Sequence, residues 1–287
     1  PTKQSAIMAF EQSTLLNHLG SAYTTRPVER LKDFAFLSPQ ALKNLREAAL
    51  PEYWGSHNFV LEKYLAVHVP WAIEQGQYTR SENQFYMRAG HLQTRYGSPI
   101  YLVFEENMNP NQQPYHLTYA GSHIVTNDGE GAEDAEDLPG ETSIPSAEPI
   151  PLGVQIEMRD DHIMEKIPER MPFLRDTPVV STICAIAGAI NWALSLDLQL
   201  AYWYNGRMGY LVPLYLTKRE SIMAAPDAVA PLQLVNDRLM VRTILEPRFS
   251  YANARVAAKR HDELRPWMLS VWEDHALEGG AGEEEGG

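Results

Sequence analysis

The chain has 287 residues, 44% of them hydrophobic, with one cysteine and a formal net charge of −13. That length holds one large core or two smaller ones, the composition is that of an ordinary globular chain, and a lone Cys184 excludes a disulfide framework within the chain, which fits a reducing compartment. The charge is not spread evenly: residues 127–150 carry eight acids and 273–287 six more, neither with a Lys or Arg, so 14 of the 37 acids sit in two segments and the rest of the chain is near neutral.

The first ten residues hold no apolar core of signal-peptide length, and a chain starting at Pro1 reads as one whose initiator Met has been removed. Residues 1–27 read as an N-terminal arm with a short helix from Phe10 to Leu19. Ser38-Pro39 reads as an N-cap followed by Pro at the first helical position, with Leu42, Leu45 and Ala49 at helical spacing up to Pro51. A second helix is expected from Asn58 to Gln75, kinked or split at Pro70, with His68 as a core histidine. From Gln84 the pattern changes to strands: Phe85 to Ala89, Pro99 to Phe104 and Tyr115 to Ala120, an antiparallel meander laid on the first helices.

Residues 127–150 combine low hydrophobicity with high charge, which disfavours ordering; they read as a disordered acidic insertion. Val154 to Met158 alternates like a strand, and Asp160-Asp161 reads as the cap of a helix ending before Pro168. Residues 178–196 are apolar but interrupted by Ser181, Thr182, Asn191 and Ser195. A membrane span needs about 20 mainly apolar residues with basic or aromatic anchors, so this reads as a buried helix with Val179, Ile183, Ile186, Ile190 and Leu194 on one stripe and Cys184 inside. No internal repeat is visible.

Residues 198–260 organise the remainder. Asn205-Gly206 between aromatic-rich runs is a strong hairpin signal, and Asn236-Asp237 is a weaker one. Strand Arg238–Leu245 delivers the chain to Glu246-Pro247-Arg248, with a helix starting near Ser250. Within 205–260 there are nine Lys/Arg against four Asp/Glu. A helix start offers unpaired N–H groups and a positive dipole end. With Arg242, Arg248 and Arg255 nearby, the corner reads as a site for phosphate or carboxylate. Tyr251 shares a face with Arg255, Asn253 turns toward the sheet, and Glu246 is the nearest general base if there is catalysis. Tyr204 and Asn205 flank the hairpin turn, where an aromatic beside Arg can stack a base. Each feature has a structural alternative: a salt bridge for Arg255, a buried amide for Asn253, and cross-strand packing for the aromatics. No metal-ligand spacing, Walker loop, dinucleotide fingerprint or nucleophile elbow occurs, so the sequence implies no cofactor and no metal.

Tyr204-Asn-Gly-Arg-Met-Gly-Tyr-Leu-Val-Pro-Leu, Arg242-Thr-Ile-Leu and Tyr251-Ala-Asn-Ala-Arg255 resemble domain-of-unknown-function family 3825. Phe34-Ala-Phe36, Gly97-Ser-Pro-Ile-Tyr101 and Phe104 are similar to its earlier segments, so the resemblance spans about 28–262 and skips the acidic insertion. The family's usual Asn-Thr-Gly-Leu is here Arg88-Ala-Gly-His-Leu92. Members occur in bacteria and fungi, sometimes beside cold-shock-type domains, which implies a role near RNA.

Taken together, the sequence predicts an α+β fold of mainly antiparallel sheets packed on helices. It divides into an arm (1–27), a single domain (28–262) interrupted by the insertion, and a C-terminal segment (263–287) with an acidic Gly/Glu tail. The expected function is a cytoplasmic protein associated with RNA or a nucleotide through the anion-binding corner. The alternative is a non-enzymatic homo-oligomeric assembly protein. Neither reading involves a membrane.

Overall fold

The computed structural model of the chain describes residues 3–20, 26–81, 83–123, 138–217 and 221–280. Residues 127–137 of the expected insertion and 281–287 of the tail lie outside the described residues. The chain divides into two compact units, Pro1–Ile144 and Pro145–Gly287. The boundary falls inside the 127–150 stretch and within the span read as one domain.

The first unit contains α1 (Lys3–Leu19), α2 (Pro27–Phe34), β1 (Ala35–Leu37), α3 (Pro39–Ala48), α4 (Phe59–Glu74), β2 (Tyr78–Ser81), β3 (Gln84–Gln93), β4 (Pro99–Glu106) and β5 (Tyr115–Gly121). Ser38 caps α3 as expected, its hydroxyl accepting from Ala41 N at 3.0 Å. The α1 helix is longer than the expected Phe10 start. The α4 helix runs unbroken through Pro70; one missing N–H removes one hydrogen bond, and the buried residues around it hold the helix together. The strands form one sheet, β1-β5-β4-β3-β2, antiparallel except for the β1–β5 edge. On the helix side Phe85 stacks on Phe104 at 4.9 Å, with Phe34 and Tyr115 alongside. Gly90, at φ 57, lets the His68 and Tyr64 side chains approach the strand, where a Cβ would lie 2.7 Å from His68 Nδ1.

The other side of this sheet carries Tyr86, Tyr101 and Val103, with Tyr119 and Leu138 packed against them. Here the expected disorder of 127–150 is corrected for its second half. Arg88 Nε donates to Pro139 O at 3.0 Å, and the Gln75 amide both donates to Ser143 O (2.9 Å) and accepts from Ser143 N (2.7 Å). Glu141 pairs with His91. Most of the acids fall before residue 138, whereas residues 138–151 are proline-rich, and side chains of the unit hydrogen-bond the backbone at Pro139 and Ser143.

The second unit contains β6 (Gln155–Met158), α5 (Asp160–Arg170), α6 (Val179–Ser195), β7 (Leu200–Tyr204), β8 (Arg207–Leu214), β9 (Ala228–Val235), β10 (Arg238–Val241), α7 (Pro247–Val256) and α8 (Pro266–Gly280). Its sheet is β6-β10-β9-β8-β7, antiparallel except for the β6–β10 edge. Helices α5 and α6 cover one face, placing Ile163, Ile167, Ile186 and Ile190 on Val212, Ala230, Leu232 and Leu239. Three local expectations are corrected. Helix α5 continues past Pro168 to Arg170, and its first turn, not its cap, holds Asp160 and Asp161. Helix α6 buries Thr182, Ile186, Ile190 and Ala193, leaving Val179 and Cys184 exposed; a run apolar nearly all round carries little directional information. Helix α7 begins at Pro247 rather than Ser250, because Pro is preorganised for the first helical position.

The two units share one topology once α1 and α2 of the first and α7 and α8 of the second are set aside. Each runs from a strand through two helices, the second the longer, and then lays down four antiparallel strands. In both, the last strand pairs in parallel with the first, giving the order 1-5-4-3-2. The repeat invisible in the residues is present in the chain path. Together the units make the protein α+β with mainly antiparallel sheets, as expected.

Candidate ligand cavity at the sheet-to-helix corner

Two tight hairpins shape the exposed face of the second sheet. Asn205 (φ 46) and Gly206 (φ 77) turn β7 into β8, and Asn236 (φ 49) with Asp237 (φ 59) turns β9 into β10. Paired left-handed residues are the signature of the type I′ turn, whose twist matches the strands it joins. The first turn sets Tyr204 opposite Arg207 and Tyr202 opposite Gly209. A Cβ on residue 209 would sit 2.9 Å from Tyr202 Cε1 and 2.6 Å from Leu232 O, so glycine lets the Tyr202 ring lie across β8.

Beyond β10 the chain carries Arg242 and Thr243, then makes an isolated bridge in which Leu245 and Val229 exchange two 2.9 Å hydrogen bonds. Arg170 ties this corner down from α5, Nη1 donating at 2.6 Å to both Thr243 Oγ1 and Ile244 O. Pro247 then starts α7, which runs back against β7 and β9. Ser250 Oγ donates to Pro247 O at 2.7 Å inside the first turn.

Between α7 and the sheet lies a cavity of 520 Å³, within the usual range of small-molecule sites. Tyr202, Tyr204 and Phe249 supply its aromatic walls, Arg207 and Arg242 its charge, and Asn205, Gln233 and Asn253 its amides. Tyr204 is 46% exposed and Phe249 60% exposed, so both rings are open to solvent. Among the described residues, Arg207 and Arg242 make no ion pair, and no carboxylate lines the cavity. Burial pushes the Tyr202 phenol well above its ordinary range; neighbouring Tyr204 adds to this and Arg242 opposes it. Tyr202 is therefore a neutral hydroxyl at any physiological pH. Asn253 Oδ1 is buried and accepts no hydrogen bond among the described residues.

Of the residues expected at the corner, Tyr204, Asn205, Arg242 and Asn253 come together in this cavity. The others do not. Arg255 is 1% exposed and its Nη1 donates to Ala258 O at 2.8 Å; it belongs to the packing of α7. Tyr251 is buried on the same helix face. Arg248 Nε pairs with Glu246 Oε2 at 2.8 Å, and its guanidinium stacks on Phe249 at 4.7 Å. Neither Arg248 nor Glu246 lines the cavity; the Glu246 carboxylate is held by Arg248 beside it. The physical reason is helix phase. Residues 249 and 253, four apart, face the cavity, while 251 and 255, also four apart, turn into the core. Sequence reasoning missed Arg207, Gln233 and Phe249 as site residues. Cross-strand pairing over the Asn-Gly turn would have placed Arg207 beside Tyr204, and spacing from Asn253 would have found Phe249. Asn253, expected to turn toward the sheet, makes no hydrogen bond to a strand-end carbonyl among the described residues.

Elsewhere among the described residues, no group of three or more His, Cys, Asp or Glu could hold a metal ion, and no helix is long and apolar enough to cross a membrane. In comparisons with known proteins, the family described as Domain of unknown function (DUF3825) matches residues 45–264. The match extends over parts of both units and includes the whole cavity lining; the Phe34–Phe36 segment lies before it. No curated protein and no solved structure matches the chain.

Proposed function

The chain belongs to the DUF3825 family, and we propose that its second unit binds a nucleotide or the nucleotides of an RNA in the cavity at the sheet-to-helix corner. The observation that carries this reading is one lining that combines two guanidinium groups free of carboxylates, two exposed aromatic rings and three amides. Guanidinium forks match phosphate oxygens, aromatic faces stack bases whatever their identity, and amides hydrogen-bond base edges. The titratable groups of the lining are two phenols and two guanidiniums, a set suited to binding rather than to proton transfer near neutral pH.

The test is equilibrium titration of the full chain with adenosine 5′-monophosphate. Arg242→Ala removes a charge-assisted contact of about 1.5–3 kcal/mol, so affinity falls roughly 10- to 100-fold. Arg260→Ala, which removes an exposed charge outside the cavity, leaves affinity within about twofold. No saturable binding by the wild-type chain, or equal binding by Arg242→Ala, defeats the reading.

Self-association is a second reading, and the outer face of α6 favours it. Val179 is 53% and Val180 73% exposed, with Cys184 and Gly188 exposed nearby, and the helix carries no charged residue. Sedimentation velocity of the wild type and Val180→Glu tests this: a wild-type oligomer that Val180→Glu dissociates supports it, and a dilution-stable wild-type monomer removes it.

A further inference from the structure

The cavity does not end at Arg242. A second cleft of 500 Å³ on the same sheet face is lined by Arg159, Val235, Arg238 and Glu157, and it shares Met240 and Arg242 with the first. The strand register shows how the two connect. Tyr202 pairs with Gly209, and Met240 pairs both with Gln233 and with Glu157. Gly209 itself lies beside Gln233, whose Cγ would be 3.6 Å from a Cβ there. One continuous row thus crosses all five strands from the aromatic edge to the β6 edge. At the strand ends Arg159 N donates to Val241 O at 3.0 Å, which sets Arg159 beside Arg242.

Charge along this row is mostly of one sign. Arg207, Arg242 and Arg159 are exposed and make no ion pair among the described residues. Arg238 Nη1 holds the one facing carboxylate, Glu157, at 2.8 Å. The row spans four inter-strand gaps, roughly 19 Å at about 4.8 Å each. A stacked single strand advances roughly 3.4 Å per nucleotide, so the row is long enough for about five stacked nucleotides, or about four of a partly extended strand.

We infer that the two clefts form one trough for a single-stranded oligonucleotide of about four residues, not a closed pocket for a mononucleotide. One base stacks at Tyr204 and Phe249, and the following phosphates pass Arg242 and reach Arg159 and Arg238. This rests on the nucleotide-binding reading above and extends it by naming the length and path of the ligand. The occupant is a polyanion with planar groups, because the trough sets guanidinium groups along its length, aromatic faces at one end, and neutral Met240 and Gln233 between.

The experiment compares adenosine 5′-monophosphate with tetra-adenylate, in ribo and deoxy forms, on the full chain. The tetramer of at least one sugar binds ten-fold or more tighter than the monomer, and its affinity falls more steeply with salt. Arg159→Ala weakens tetramer binding about ten-fold and makes the slope of log affinity against log salt shallower by about 0.7, the value for one phosphate contact on a single strand. Monomer and tetramer bound equally tightly overturns the trough while leaving the cavity reading intact. Tetramer affinity and slope unchanged in Arg159→Ala overturns it too. Binding of neither ligand overturns both.

Discussion

Arg255 separates the sequence reading from the structural one, because the two assign it opposite roles. Its guanidinium is 1% exposed and donates to Ala258 O at 2.8 Å, just past the end of α7. Truncation to Ala removes a hydrogen bond to a charged donor worth about 1.5–3 kcal/mol. It also empties the volume of a fully buried side chain, which brings the expected loss to about 3–5 kcal/mol. For a unit of this size about 2–4 °C of melting temperature corresponds to each kcal/mol, so the second unit should melt roughly 6–20 °C lower. Arg255→Met retains much of the volume and should lose about half as much. Thermal melts followed by near-ultraviolet circular dichroism read both variants, and adenosine 5′-monophosphate titration at about 15 °C, with the variants folded, should give wild-type affinity. An Arg255→Ala chain that melts with the wild type yet fails to bind would refute the structural assignment and restore Arg255 to the ligand.

Other outcomes rest on single side chains. The buried Tyr202 phenol has its pKa raised, so the folded state holds its proton where the unfolded chain, titrating near about pH 10, releases it. That contribution to stability is fully present below about pH 10 and is lost as pH rises beyond it; Tyr202→Phe should flatten the decline of urea midpoints above about pH 10, and an unchanged slope contradicts the burial argument. Cys184 is exposed, so one equivalent of Ellman's reagent should react with the native chain within minutes. A thiol that reacts only in denaturant would place it where the sequence reading did, inside the helix packing.

What the sequence made legible was local. Ser38-Pro39 names its own cap, and Asn205-Gly206 dictates a left-handed pair whose register brings Tyr204 and Arg207 together. The antiparallel meanders arise from period-two alternation. What stayed hidden depends on phase and on chain path. Helix α6 is apolar nearly all round, so nothing in its composition says that Thr182 rather than Val179 faces the sheet. On α7 the residues of the familiar-looking Tyr251–Arg255 motif alternate between cavity and core, and the motif alone cannot say which is which. The shared 1-5-4-3-2 strand order of the two units requires no residue identity, only the same succession of strands and helices, so it leaves no repeat to see. The composition of 127–150 taken whole disfavours ordering, but its acids fall mainly in the first half, so the second half is free to pack.

The central claim is that ligand meets the second unit at Tyr204, Phe249 and the guanidinium groups beside them. Photocrosslinking of the full chain to a 4-thiouridine-substituted tetranucleotide, with the adducts sequenced by mass spectrometry, tests it most directly. The account predicts adducts on peptides carrying Tyr204 or Phe249, abolished in Arg207→Ala/Arg242→Ala. Adducts confined to peptides of the first unit, or retained in full by the double variant, would contradict it.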